Sequence, residues 1–138
     1  MLTGIDHVGV AVENLDAAIA RYGDVFSIPL VHRETLAEQG VDAALLHVGE
    51  SRIELIAPLA RDTEVARFLE RRGEGLHHVA YQVQSVDEAL SALAASGVRL
   101  IDETPRVGIR GSRVAFLHPS SMGGVLTEIV EPSGSGRS

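Results

Sequence analysis

Gly4–Ile19 reads GIDHVGVAVENLDAAI, and Gly75–Leu90 reads GLHHVAYQVQSVDEAL. The offset is 71 residues, and six of 16 positions are identical: Gly4/Gly75, His7/His78, Val8/Val79, Val12/Val83, Asp16/Asp87 and Ala18/Ala89. Ile5/Leu76, Leu15/Val86 and Ile19/Leu90 exchange one aliphatic side chain for another. A second match lies downstream. Arg52–Pro58 is RIELIAP and Leu126–Pro132 is LTEIVEP, at an offset of 74, with Glu54 matching Glu128 and Pro58 matching Pro132. Each copy therefore opens with a histidine in an apolar segment and closes with a glutamate in another, 47 and 50 residues later. An internal repeat outranks local signals, because each copy is one structural unit built the same way.

Local patterning gives that unit a shape. Ile5–Val12 alternates and is rich in valine, as a strand does. Asn14 or Asp16 can cap a helix carrying Ala18, Ile19, Tyr22 and Val25–Phe26 on one side. Leu30–Glu34 is a short strand, and Val41–Val48 and Arg52–Ala57 form a hairpin across Gly49-Glu50. Thr63–Arg72 is an amphipathic helix stopped at Gly73. The second copy repeats the series: strand His77–Val83, helix Val86–Ala95, short strand Arg99–Ile101, then strands Arg113–Leu117 and Val125–Val130. Each half is βαβββ. A unit of about 60 residues cannot cover both faces of its own sheet. The expected fold is α+β: two repeats, 1–60 and 73–132, forming one curved mixed sheet around a central site within a single domain, 1–132. The tail, 133–138, is too polar and glycine-rich to order itself.

Composition narrows the chemistry. The 138 residues contain no cysteine, which excludes disulfides, thiolate nucleophiles and cysteine-ligated zinc. All 12 basic residues are arginine, so lysine Schiff bases and phosphate-loop lysines are excluded too. A net charge of −7 disfavours nucleic acid and anionic membranes as partners. No apolar run reaches the length of a membrane span, and the N-terminus has no basic, signal-like start, so a soluble cytoplasmic protein is expected.

The repeat singles out four residues. In the first strand His7 alternates with Asp6, and in the fifth His77 and His78 point to opposite faces, with the repeat selecting His78. Glu54 and Glu128 sit inside otherwise apolar strands, where a carboxylate is costly unless paired or metal-bound. Two imidazoles and two carboxylates make a mixed nitrogen and oxygen set suited to Co²⁺, Zn²⁺, Ni²⁺, Mn²⁺ or Fe²⁺. Read without the symmetry, the same residues are two ordinary strand histidines and two edge glutamates.

The motifs IDHVGVAV, EQGVDAALLHVG, RIELIAP, GEGLHHVA, GVRLIDETPR, FLHP and GVLTE, in this order from Leu2 to about Pro132, resemble bacterial methylmalonyl-CoA epimerases of the vicinal oxygen chelate (glyoxalase) superfamily. The resemblance implies a divalent metal on His7, Glu54, His78 and Glu128, an acyl-CoA substrate, and a homodimer. It implies a reaction that removes the α-proton of a malonyl thioester and returns it on the other side through a stabilised enolate, with Glu128 as one base. The sequence departs from part of the family at Ala43, where some epimerases carry a second catalytic glutamate. Asp42 is the substitute candidate, although strand parity turns it to the other face; Glu38 is a weaker one. Arg106, Arg110 and Arg113, in TPRVGIRGSR, are candidates for binding the anionic coenzyme A ester. His47 is expected in the core or at its rim, His77 away from the metal, His118 at a strand end and His32 at the surface. Two other readings compete: a glyoxalase I-type lactoylglutathione lyase with the same ligands, and a non-catalytic drug-sequestering protein of the same fold. The four ligands argue against the second, and the fourth ligand argues against ring-cleaving dioxygenases, which use two histidines and one carboxylate.

Overall fold

A computed structural model of the protein describes residues 1–134; Ser135–Ser138, on which most of the tail expectation falls, lie outside the described residues. Among the described residues are eight strands, β1 Leu2–Ala11, β2 Leu30–Leu36, β3 Val41–Val48, β4 Ser51–Pro58, β5 Gly75–Val83, β6 Arg106–Val107, β7 Arg113–Leu117 and β8 Thr127–Glu131. Three α-helices accompany them: α1 Leu15–Phe26, α2 Glu64–Arg72 and α3 Val86–Ala95. None of these helices is long and apolar enough to cross a membrane. The chain divides into two compact units, residues 7–77 and residues 1–6 with 78 onward, so that the division falls inside β1 and inside β5.

In the unit of residues 7–77 the strand order is β2-β3-β4-β1. β1 runs parallel to β4, with Gly9 beside Glu54, and β4-β3 and β3-β2 are antiparallel. α1 covers one face. Its buried residues Leu15 and Ala18 pack on Val12, Ala44, Leu46, Leu55 and Ala57. The helix starts where Asn14 accepts a hydrogen bond from the Ala17 N–H at 2.9 Å, satisfying one of the donors a helix N-terminus leaves open. Asn14→Ala is expected to lower stability by about 1 kcal/mol, measured as an earlier urea midpoint at unchanged slope. Val25 and Phe26, expected on one side of α1 with Ala18, Ile19 and Tyr22, are 64% and 65% exposed. Gly40 takes φ +71° in the turn entering β3, and a Cβ there would meet Thr63 Cγ2 at 2.8 Å, so the glycine of EQGV has both a conformational and a packing reason.

In the second unit the order is β1-β5-β8-β7-β6, with β5 parallel to β8 and the β8-β7 and β7-β6 pairs antiparallel. α3 packs Val86, Ala89 and Leu90 against Val83, Ala115 and Ile129 on one face, while Ala80, Val114 and Val130 cluster on the other. Ser85 caps α3 through the Glu88 N–H, as Asn14 caps α1. Each repeat is thus βαβββ in chain order. One expected strand is replaced: Arg99–Ile101 makes only an isolated bridge, Leu100 to Leu117, and the short partner of β7 is Arg106–Val107. Pro105 and the Gly108 turn confine that strand to two residues.

Candidate metal centre and proton-transfer site

Strand parity places the candidate ligands. Within residues 7–77, Ala44, Leu46 and Leu55 face α1, so their neighbours Ala43, Leu45 and Glu54 face the opposite way. His7 lies on that same side. It is 2% exposed, Glu54 is 6% exposed, and His7 Nε2 stands 3.4 Å from Glu54 Oε1. In the second unit the equivalent pair recurs. His78 and Glu128 are buried, with Nε2 to Oε1 at 3.0 Å. The His78 ring meets the Phe116 ring edge-on at 5.4 Å between centroids.

Both pairs present an imidazole nitrogen and a carboxylate oxygen to each other in a dry setting. A charge-assisted N–H to carboxylate bond prefers about 2.7–2.9 Å, and the His7–Glu54 separation is well beyond that. Neutral imidazole with carboxylate is the donor chemistry that divalent transition metals take, and each of His7, Glu54 and His78 offers one ligand atom from a buried position. The residues fit such an ion. The two buried His–Glu pairs stand at matched positions of the two repeats, and His7, Glu54 and His78 are the three whose ligand atoms lie within 4.8 Å of one another.

The other candidates are dispersed. Asp42 points to the α1-covered face, where Arg33 bridges it (3.0 Å) to Asp16. Hydrogen bonding to Asp16, and then to Asp42, holds the Arg33 guanidinium above its ordinary value. Asp42 is therefore a partner in a surface ion network on the wrong side of the sheet for Glu54, which corrects its assignment as a proton-transfer group. Glu38 is exposed on a 3₁₀ turn. Arg113 also faces a helix. It binds Asp87 at 2.8 Å and lies 3.6 Å from Glu131, and the Asp87 hydrogen bond raises its guanidinium pKa. Arg113 lies two positions before Ala115, so both share the α3 side, opposite Glu128; this removes Arg113 from the substrate-binding trio. Arg110 is exposed at a left-handed turn, φ 58°. Arg106 alone of the three sits on the Glu128 side. It is directly across from Val114, its Nε donates to Asp102 at 3.0 Å, and its guanidinium carbon stands 5.9 Å from the Phe116 ring centroid.

Among the other histidines, His47, expected in the core or at its rim, is exposed. Its place at the end of β3, next to the turn, leaves nothing to cover it. His77 packs edge-on against Phe68 of α2, turned from His78 as alternation requires. His118 Nδ1 accepts the Ser120 N–H at 3.0 Å and closes the end of β7. His32, expected at the surface, is half-buried and 2.9 Å from Glu34 Oε1. Glu34, its partner, stands directly opposite Ala43 in the β2–β3 register.

Comparison with known proteins places the chain in a class. The family model described as Glyoxalase/Bleomycin resistance protein/Dioxygenase superfamily matches residues 6–116, and the chain belongs to that family. More particular likenesses point to one activity within it. The methylmalonyl-CoA epimerase of Mycobacterium tuberculosis superposes with a TM-score of 0.93 at 44% identity, over 96% of this chain and 90% of that one. A Streptomyces coelicolor methylmalonyl-CoA epimerase variant in complex with 2-nitronate-propionyl-CoA gives 0.94 at 38% identity, covering 97% of each chain. The ethylmalonyl-CoA/methylmalonyl-CoA epimerase of Cereibacter sphaeroides is 31% identical over 131 residues, 94% of this chain and 98% of its own.

Proposed function

We propose that this protein is a metal-dependent methylmalonyl-CoA epimerase, with His7, Glu54, His78 and Glu128 as the metal ligands. The observation that carries this reading is the pair of buried His–Glu couples at matched repeat positions, in a chain alignable end to end with epimerases. A divalent cation held by these residues supplies Lewis-acid stabilisation of negative charge developing on the substrate oxygens.

The remaining work falls to the protein. Glu128 accepts the α-proton of the malonyl thioester as the Cα–H bond breaks and its electron pair moves into the thioester enolate. A new Cα–H bond on the other side of the planar intermediate completes inversion. Ala80, Val114, Phe116 and Val130 form an apolar wall on the Glu128 side of the sheet, and exclusion of water there strengthens every charge interaction with the substrate. Arg106 and Arg110 bring positive charge to an acidic protein whose substrate is itself polyanionic. Arg106 spends Nε on Asp102 and keeps the rest of its fork for a substrate carboxylate or phosphate.

The direct test is incubation of (2R)- or (2S)-methylmalonyl-CoA with protein loaded with Co²⁺, Ni²⁺, Mn²⁺ or Zn²⁺ in D₂O. Expected is α-deuteration together with loss of chirality. Absence of exchange with all four metals, or formation of S-lactoylglutathione from methylglyoxal and glutathione in its place, overturns the reading.

A further inference from the structure

Inversion at carbon needs two proton-transfer groups, one on each side of the intermediate, and Ala43 supplies none. The register of β2 on β3 shows what stands beside that alanine. Glu34 is the direct cross-strand partner of Ala43, and His32 is the partner of Leu45, which itself pairs with Glu54. Side chains directly opposite in an antiparallel pair share a face. Glu34 and His32 therefore lie on the Glu54 side of the sheet, while Arg33 between them turns to Asp16 and Asp42 on the α1 side. Ala43 presents only a methyl group beside Glu34 on that face.

The state of this pair also fits proton transfer. The side chains of Glu34 and His32 are 31% and 34% exposed, and His32 Nε2 lies 2.9 Å from Glu34 Oε1. A carboxylate in contact with a half-exposed imidazole can exchange its proton with solvent between turnovers. The remaining carboxylates near β3 are unsuited: Asp42 is on the α1 side, and Glu38 is on an exposed turn beyond the strand.

We propose that Glu34 is the second catalytic residue of the epimerisation, taking the role that a glutamate at position 43 would have, with His32 as the positioning residue that holds and recharges it. The inference rests on the epimerase reading and deepens it. In one direction Glu128 takes the α-proton and protonated Glu34 delivers its own to the opposite side of the enolate. In the reverse direction the two exchange roles. Each turnover breaks one Cα–H bond and forms one, leaving Glu128 protonated and Glu34 ionised; Glu128 then releases its proton to solvent and Glu34, through His32, takes one up.

The test is Glu34→Gln in the metal-loaded protein in D₂O, with each pure epimer as substrate. Inversion is expected to fall by about 10²–10³-fold. One epimer, whose proton meets Glu128, is expected to go on exchanging deuterium with retention of configuration, while the other stops exchanging. Co²⁺ affinity, read by spectroscopic titration, should stay at the wild-type value because Glu34 is not a ligand. Glu34→Asp should be intermediate, His32→Gln should slow turnover less than Glu34→Gln, and Glu38→Gln should leave turnover unchanged. The assignment is overturned by a Glu34→Gln protein that inverts at the wild-type rate, or by one that loses exchange of both epimers equally, as a merely structural defect would cause. Because Glu34 is half-exposed, a folding failure of the Gln variant is not expected; should one occur, Glu34→Asp at wild-type rate overturns the proposal equally well. A wild-type protein that neither exchanges nor inverts removes the epimerase reading itself, and Glu34's role with it.

Discussion

His78→Ala is expected to lose bound metal and epimerase activity together. His78 is buried, its Nε2 lies 3.0 Å from Glu128, and its ring is held against the edge of Phe116. Alanine removes one of four proposed ligands and leaves a buried carboxylate without the nitrogen it faces. Lewis-acid stabilisation of a developing oxyanion is worth several kcal/mol, so a loss of about 10³-fold in kcat/KM, or about 4 kcal/mol, is expected at ordinary metal concentrations. Metal content by atomic emission and deuterium exchange with methylmalonyl-CoA read the two losses side by side. His78→Gln, which restores some of the volume and an oxygen donor, separates loss of the ligand from loss of packing. A His78→Ala protein that keeps metal and activity would show that the site lies elsewhere.

Glu128→Gln probes the same neighbourhood with the opposite emphasis. Gln is nearly isosteric, and its amide oxygen still ligates a metal, but it cannot accept a proton. If Glu128 acts as a base, kcat falls by about 10²–10⁴-fold while much of the metal affinity survives. Exchange should then be lost for the epimer that Glu34→Gln spares. The two variants together form a pattern that a general loss of structure does not produce, since each removes one side of the reaction. Steady-state kinetics at saturating metal, with KM and kcat separated, supply the measurement.

The legible parts of this protein were those governed by period. Valine alternation located β1 and β5, Asn14, one of the two caps offered, stands where α1 begins, and Gly49 turns the β3–β4 hairpin. Repetition marks His7, Glu54, His78 and Glu128 as a matched set. Spacing alone leaves other positions ambiguous. Arg106, Arg110 and Arg113 are close in the chain, yet the last faces α3, the second sits in a left-handed turn and only the first shares a side with Glu128. Asp42 neighbours Ala43 along β3, but a strand turns consecutive side chains to opposite faces, and Arg33 claims it there.

The sequence by itself determined the repeat, the βαβββ order of each half, the absence of thiol and lysine chemistry, and which histidines and glutamates are matched. Those features depend on identity and spacing along one chain. Only the tertiary structure decided who stands across from whom. Glu34 lies nine residues before Ala43, and nothing in that interval says that the two are directly opposed; the β2–β3 register does, after an irregularity between Leu30 and His32 that no period-two count anticipates. Pairing between strands is set by turns, bulges and packing together. For that reason a glutamate of an edge strand stands directly beside Ala43, far from it along the chain.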